Sequence, residues 1–291
     1  MPRPRSLAPT FLLWLGLIAL LAAAPPVVAE GGATPTAAGT PVAMPEGRYA
    51  EVNGIRLYYE EHGTGEPLLL LHGGLGSVDY LRNQIPVLAQ EFRVIAIDSR
   101  GHGRSTFDEQ PITYALMASD VLALMDQLKI ERASLLGWSD GGIIGLELAI
   151  THPERLDRVV AYGANYDPSG LRSDVGESDR FNAYIAQAAA DYQRLSPAPE
   201  RWDAFLENIG EMWATEPTYS EDQLRRITTP ILVLDGEEEE AIDIAHTRLM
   251  ASLIPSSELI LMPGTGHFAM LDQPAEFNQI VLAYLTSEPA R

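Results

Sequence analysis

From Tyr49 onward, short apolar runs alternate with longer segments of helical periodicity. Uninterrupted apolar runs of this length are typical of strands buried on both faces of a parallel sheet. The predicted strands are Leu68–Leu71, Val94–Ile97, Ala133–Leu136, Val159–Tyr162, Ile231–Leu234 and Leu259–Met262. The predicted helices are Tyr80–Gln90, Tyr114–Leu128, Gly142–Thr151, Ile242–Ile254 and Ala275–Thr286. This alternation predicts an α/β fold with a mostly parallel, doubly wound sheet. An Asn53-Gly54 turn between extended stretches predicts an antiparallel N-terminal hairpin at one edge.

The composition excludes several classes of protein. The 291 residues include 20 Lys and Arg against 40 Asp and Glu, a formal net charge of -20, and no Cys. A chain this acidic lacks the basic face that binds nucleic acid or anionic membranes. Without Cys, no disulfide, thiolate zinc site or iron–sulfur cluster can form. A hydrophobic content of 46% is also too high for a disordered chain.

Residues 1–29 are predicted to be a cleavable signal peptide. Arg3 and Arg5 precede an apolar run of fourteen residues, and small residues end this stretch at Ala29. An uncleaved membrane anchor is the alternative, but fourteen helical residues span about 21 Å of a hydrocarbon core about 30 Å thick. Residues 30–46, rich in Gly, Ala, Thr and Pro, are predicted to be a flexible leader to a single domain at 47–291. We therefore expect a secreted or periplasmic protein with no stable membrane anchor after cleavage.

One segment, about 167–229, interrupts the alternation of strands and helices. It is rich in aromatic residues and is too long to be a simple connection between two strands. We predict a helical lid over the carboxyl edge of the sheet, where open α/β sheets bind ligands. The alternative is a pair of packed helices with no role in the site.

The pentapeptide Gly137-Trp138-Ser139-Asp140-Gly141 lies between a predicted strand and a predicted helix. It fits the Gly-x-Ser-x-Gly pattern of a nucleophile elbow in its required strand–turn–helix context. We therefore predict that Ser139 is a catalytic nucleophile. The backbone N–H groups of Asp140 and Gly74 are the predicted oxyanion donors, since Gly74 lies in a glycine-rich loop after the first parallel strand. His72, in the same loop, is predicted to be a buried structural residue that bridges loops.

A general base is expected downstream of the nucleophile. His267 lies within Gly264-Thr265-Gly266-His267-Phe268, directly after the last predicted strand. Of the six histidines, it alone follows a strand end downstream of Ser139. Because imidazole exchanges protons at neutral pH, His267 is the predicted base.

Residues 47–287, roughly, resemble the α/β-hydrolase superfamily. The elbow and the stretch Asp98–Ser105, which is similar to the family's loop after its fourth strand, carry this resemblance. The resemblance implies an α/β-hydrolase fold, with Asp98 and His102 in structural roles. It also implies the chain order nucleophile, acid, histidine, which Ser139, Glu239 and His267 follow.

The elbow with Gly142, together with Tyr162-Gly163-Ala164-Asn165, further resembles the valacyclovirase-type α-amino-acid ester hydrolases and their bacterial carboxylesterase relatives. In that branch the acidic residue after the nucleophile faces the ammonium group of the substrate. The resemblance therefore implies that the side chain of Asp140 is a substrate anchor. The alternative is that Asp140 only orders the elbow.

The acid position departs from the family pattern. The family has Asp three residues after the glycine that ends the strand, whereas this chain has Glu239 there. A glutamate can also orient the imidazole and stabilise the imidazolium. The other candidate acids are the neighbouring carboxylates Asp235, Glu237, Glu238 and Glu240. A solvated acidic loop, a divalent-cation site or a degraded triad are the remaining interpretations.

The resemblance implies a serine hydrolase that cleaves carboxylic esters through an acyl-enzyme on Ser139, and the predicted signal peptide makes it secreted or periplasmic. The expected substrate is a small-molecule ester, with aminoacyl or small hydrophobic groups favoured, and no cofactor or metal is expected. One alternative is a lactone or C–C bond hydrolase that uses the same triad. The other is a non-catalytic secreted binding protein with a degraded acid position.

Overall fold

The computed structural model describes residues 47–287. The predicted signal peptide at 1–29 and the leader at 30–46 lie outside these residues. Across the described part of the chain, no helix is both long and apolar enough to cross a lipid bilayer.

An eight-stranded sheet forms the centre of the domain, in the order β1-β2-β4-β3-β5-β6-β7-β8. Its strands are β1 (Arg48–Val52), β2 (Ile55–His62), β3 (Glu66–Leu71), β4 (Phe92–Ile97), β5 (Ala133–Trp138), β6 (Leu156–Tyr162), β7 (Ile231–Gly236) and β8 (Ser257–Met262). β2 runs antiparallel to β1 and β4, and all other neighbours are parallel. Every residue of β5 and β7 is buried, as expected for apolar strands covered on both faces. The predicted mostly parallel sheet is confirmed.

The N-terminal hairpin is also confirmed. Asn53 and Gly54 have φ angles of 42° and 81°, and Val52 pairs with Ile55 across the turn. Positive φ at both central residues is what a two-residue turn needs to match the right-handed twist of its strands.

Nine α-helices connect and cover the strands of the described chain. They are α1 (Ile85–Leu88), α2 (Tyr114–Gln127), α3 (Asp140–Thr151), α4 (Asp179–Leu195), α5 (Trp202–Thr215), α6 (Glu221–Leu224), α7 (Ile244–Leu253), α8 (Ala269–Asp272) and α9 (Pro274–Thr286). The predicted helix Tyr80–Gln90 is instead a 3₁₀ turn at Val78–Leu81 followed by α1. Pro86 explains the break: it lies in the first turn of α1, the part of a helix where a residue without an N–H group is tolerated.

Between β6 and β7, residues 167–229 contain α4, α5 and α6, and we call this stretch the lid segment. The hydroxyl of Ser178 caps α4 by accepting the N–H of Phe181 at 3.1 Å. The buried face of α4 recurs at helical spacing and comprises Phe181, Tyr184, Ile185, Ala188 and Tyr192. The aromatic residues of this segment therefore fold into amphipathic helices packed on the domain.

Candidate active site

Ser139 lies between the end of β5 and the start of α3, with φ 53° and ψ −116°. A non-glycine residue with positive φ is strained, and such strain concentrates at functional sites. Both flanking glycines are sterically required: a Cβ on Gly137 would collide with the carbonyl group of Gly141, and one on Gly141 would collide with the backbone of Leu71. The tight turn holds Ser139 at the end of the sheet with its side chain partly exposed.

The two predicted oxyanion donors lie on either side of this turn. Asp140 is the first residue of α3, so its N–H group lacks an intrahelical acceptor and lies at the positive end of the helix dipole. The N–H group of Gly74 likewise has no acceptor within residues 47–287. A Cβ at Gly74 would collide with the ring of Trp213, and it would also contact the carboxylate of Asp140. A glycine at position 74 therefore lets the loop approach the elbow closely.

His267 and Glu239 form a buried pair, 2% and 4% exposed. Nδ1 of His267 lies 2.9 Å from Oε1 of Glu239, although the ring N–H does not point along the line to that oxygen. The electrostatic attraction between the imidazolium of His267 and the carboxylate of Glu239 depends mainly on their distance, so it remains even though the N–H group is poorly aligned. Burial alone would raise the pKa of Glu239, but the facing imidazole and the N–H of Ala241 bring that pKa down to about 2. Burial disfavours imidazolium, yet the Glu239 carboxylate outweighs burial and raises the pKa of His267.

Three side chains hold the loop that carries His267, through contacts that the sequence did not predict. Nε1 of Trp138 donates to the carbonyl of His267 at 2.9 Å, and the hydroxyl of Tyr162 donates to the carbonyl of Gly266 at 2.5 Å. The carboxylate of Glu240 accepts the backbone N–H of His267 at 2.5 Å. The residue before the nucleophile is therefore tied directly to the histidine.

The other carboxylates of the acidic loop are placed differently from Glu239. Glu237 and Glu238 are exposed, and Glu240 bonds the backbone of the histidine rather than its ring. Asp235 is fully buried and contacts Glu239. Among residues 47–287, no three His, Asp or Glu side chains are arranged to hold a metal ion.

The side chain of Asp140 is buried, and two neutral donors bind it. Its carboxylate accepts the hydroxyl of Tyr114 at 2.9 Å and Nε1 of Trp213 at 3.0 and 3.1 Å. No Lys or Arg forms an ion pair with it in the described part of the chain. Burial raises the pKa of Asp140 to about 6, despite the opposing effect of both donors. Asp140 is therefore a buried carboxyl group held by neutral donors, and the charge of a protonated His267 lowers its pKa only in part.

The lid segment contacts each part of this site. The hydroxyl of Tyr184 donates to the carbonyl of Gly74 at 2.6 Å, and Trp213 reaches Asp140. The ring of Phe181 lies 6.3 Å from the ring of His267, centroid to centroid. These contacts link the segment to the oxyanion loop, the elbow and the base.

The residues predicted to be structural have structural contacts. Nε2 of His72 accepts the N–H of Ser99 at 3.0 Å while Nδ1 lies 2.7 Å from the carbonyl of Gly73, so the ring bridges two loops. Asp98 is buried and accepts two backbone N–H groups. Burial lowers the pKa of His102 to about 3, which keeps that ring neutral.

The site contains a strained serine, a histidine with a buried carboxylate partner, and two backbone N–H groups that have no acceptor among residues 47–287; within the same residues no hydrogen bond joins Ser139 to His267. These are the parts that acyl transfer through a covalent intermediate requires.

Comparisons with known proteins agree with this fold. A protein-family model described as alpha/beta hydrolase fold matches residues 66–195. The serine hydrolase BPHL of Homo sapiens is 30% identical over 288 residues, covering 93% of this chain and 96% of that protein. The putative carbamate hydrolase RutD of Caulobacter sp. (strain K31) is 30% identical over 266 residues, covering 80% and 97% respectively. Among solved structures, a hydrolase from Pseudomonas aeruginosa PA01 matches with a TM-score of 0.67 and 28% identity, covering 83% of this chain and 98% of that one.

Proposed function

This chain belongs to the α/β-hydrolase family, and from that membership we propose that it is a serine hydrolase of small carboxylic esters. The observation that carries the proposal is the strained Ser139 beside two free backbone donors, with His267 paired to Glu239. Residue types, burial and charge at these positions match the roles that ester cleavage assigns to them.

In the proposed reaction, Oγ of Ser139 attacks the acyl carbon while Nε2 of His267 takes its proton. The N–H groups of Gly74 and Asp140 stabilise the oxyanion of the tetrahedral intermediate. The imidazolium, stabilised by Glu239, then protonates the departing alkoxide, which leaves as the alcohol. Water, deprotonated by the same histidine, attacks the acyl-enzyme and releases the acid and the free Ser139.

Covalent labelling tests this proposal most directly. A fluorophosphonate probe is expected to modify Ser139, located by mass spectrometry of the digested protein, and to leave Ser139→Ala unlabelled. An active serine reacts because its base and oxyanion donors are in place. An unlabelled wild-type protein would indicate the non-catalytic binding protein instead.

One observation supports a positively charged group on the substrate. Among the described residues, the Asp140 carboxylate has only neutral hydrogen-bond donors, and it lies beside the oxyanion loop. A negative potential of this kind attracts cations and raises their local concentration. We therefore propose that aminoacyl esters are preferred over neutral esters of similar size.

Asp140→Asn is expected to lose this preference by about 10- to 100-fold in kcat/KM, the contribution of one charged hydrogen bond. The backbone donor at position 140 remains, so hydrolysis of neutral esters should change little. Because the pKa of Asp140 is about 6, the wild-type preference is present above that pH and lost as pH falls through it. Wild-type and variant kinetics on a matched aminoacyl and acyl ester pair check this, and an unchanged preference would rule out the anchor.

A substrate panel separates ester cleavage from other reactions of the same triad. The relative RutD is named as a putative carbamate hydrolase, so carbamates belong in the panel with lactones and C–C cleavage substrates. We expect the highest kcat/KM on open-chain esters.

A further inference from the structure

Two carboxyl groups share one buried environment behind the histidine. Asp235, near the end of β7, is 0% exposed, and it contacts the carboxyl group of Glu239 directly. Across residues 47–287, neither group has an ion pair with Lys or Arg, and His267 is the single ion-pair partner of Glu239. Two adjacent anions in a medium of low dielectric constant repel strongly. One of the two carboxyl groups must therefore hold a proton at neutral pH.

The surrounding donors place the negative charge on Glu239. Its Oε1 faces Nδ1 of His267 and accepts the N–H groups of Ala241 at 2.6 Å and Ile242 at 3.1 Å. All three contacts favour the ionised form of this carboxyl group. The proton therefore belongs to its neighbour.

The hydrogen bonds to Asp235 stabilise a negative charge less strongly than those to Glu239. Its oxygens accept the hydroxyl of Thr247 at 2.7 Å and the adjacent N–H of Gly236 at 2.9 Å, and no cation contacts it. Burial and the negative charge of Glu239 both raise the pKa of Asp235 well above its ordinary value. A neutral carboxylic acid keeps both contacts and adds an O–H donor.

The second oxygen of Glu239 needs such a donor. Oε2 is buried and has no N–H or O–H partner among the described residues. A buried acceptor without a donor is costly. We propose that Asp235 is a positioning residue that stays protonated and donates its O–H to Oε2 of Glu239, fixing the triad acid against His267. This inference rests on the proposed function only in taking Glu239 as the triad acid.

The same contact explains how a glutamate works where the family has aspartate. The extra methylene gives Glu239 one more rotatable bond, so its carboxylate can turn away from the imidazole. A donor on Oε2 removes that freedom while Oε1 remains at Nδ1 of His267. Asp235 thus compensates for the longer side chain.

Infrared spectroscopy tests the proton directly. At neutral pH, the difference spectrum of wild type minus Asp235→Asn is expected to show the carbonyl stretch of a protonated carboxylic acid, shifted in heavy water. If the difference spectrum instead shows only the bands of a lost carboxylate, the proposal is overturned. This measurement does not depend on catalysis, so it remains decisive even if no ester is hydrolysed.

A matched pair of variants tests the positioning role. Asn and Leu both have roughly the shape of Asp, but only the amide of Asn can donate to Glu239. Asp235→Leu is expected to lower kcat about 10- to 100-fold with little change in KM, the loss of one hydrogen bond to a charged group. Asp235→Asn should stay within a few-fold of wild type. Equal kcat for both variants, whether high or low, would contradict the proposal.

The alkaline limb of the pH profile supplies a second readout. When Asp235 ionises at high pH, its charge repels Glu239, so wild-type kcat/KM should fall there. Asp235→Asn cannot ionise and should extend activity to higher pH. An unchanged alkaline limb would count against the proposal. The other titratable or charged groups facing the pair are His267, Glu240, Tyr162 and Arg172.

Discussion

Ser139→Ala is expected to lower kcat for a short p-nitrophenyl ester by about a millionfold, the loss seen when a triad nucleophile is removed. The variant keeps the Cβ and the backbone donors of the elbow, so its melting temperature should stay close to that of wild type. The background rate then reflects the oxyanion donors and binding alone. Steady-state kinetics with a thermal melt on the same preparation gives both results.

Ser134→Ala is a matched control for this experiment. Ser134 lies on β5, the strand that leads into the elbow, and is buried away from the turn. Its variant should hydrolyse the ester at nearly the wild-type rate. If Ser139→Ala keeps more than about one hundredth of the activity, a different nucleophile carries out the reaction.

Glu239→Gln is expected to reduce kcat by about 10⁴-fold, the order of loss when a triad acid becomes an amide. The amide cannot stabilise imidazolium, and it can favour the wrong tautomer of His267. Glu238→Gln is the control, because that neighbouring side chain is exposed. Equal small losses for both variants would point to another acid.

The pH dependence of kcat/KM in Glu239→Gln is expected to shift in a defined direction. The pKa of His267 is raised because the charge of Glu239 outweighs burial. Without that charge, burial dominates and the pKa falls. The acid limb of kcat/KM, where the base becomes protonated, should therefore move to lower pH in Glu239→Gln. If the acid limb does not move, the charge of Glu239 does not set the pKa of the catalytic base.

The predictable parts of this molecule are those that local chemistry specifies. The two glycines of the elbow follow from the backbone geometry around Ser139, and the spacing from Gly236 places Glu239. The alternation of apolar runs was sufficient for the parallel sheet. The predicted helix Tyr80–Gln90 is wrong because its apolar periodicity runs across Pro86, which lies in the first turn of α1 and not inside a longer helix.

The missed parts depend on contacts between distant segments. Trp213 reaches Asp140 across 73 positions, because α5 of the lid segment packs over the elbow. Nothing in the local sequence around either residue specifies that contact. The contact of Tyr114 was missed for the same reason: Tyr114 begins α2, and its hydroxyl donates to the carboxylate of Asp140. Asp235 was considered only as an alternative acid, and its contact with Glu239 depends on how the acidic loop folds back.

The hydrogen bond from Trp138 to the carbonyl of His267 joins residues 129 positions apart. The proposed nucleophile therefore lies in the middle of the chain, and its proposed base follows the last strand. A chain that is still being synthesised, or one cut before β8, would carry Ser139 without that base. Regain of hydrolysis during refolding would accordingly report completion of the entire sheet, a later event than the appearance of helical structure.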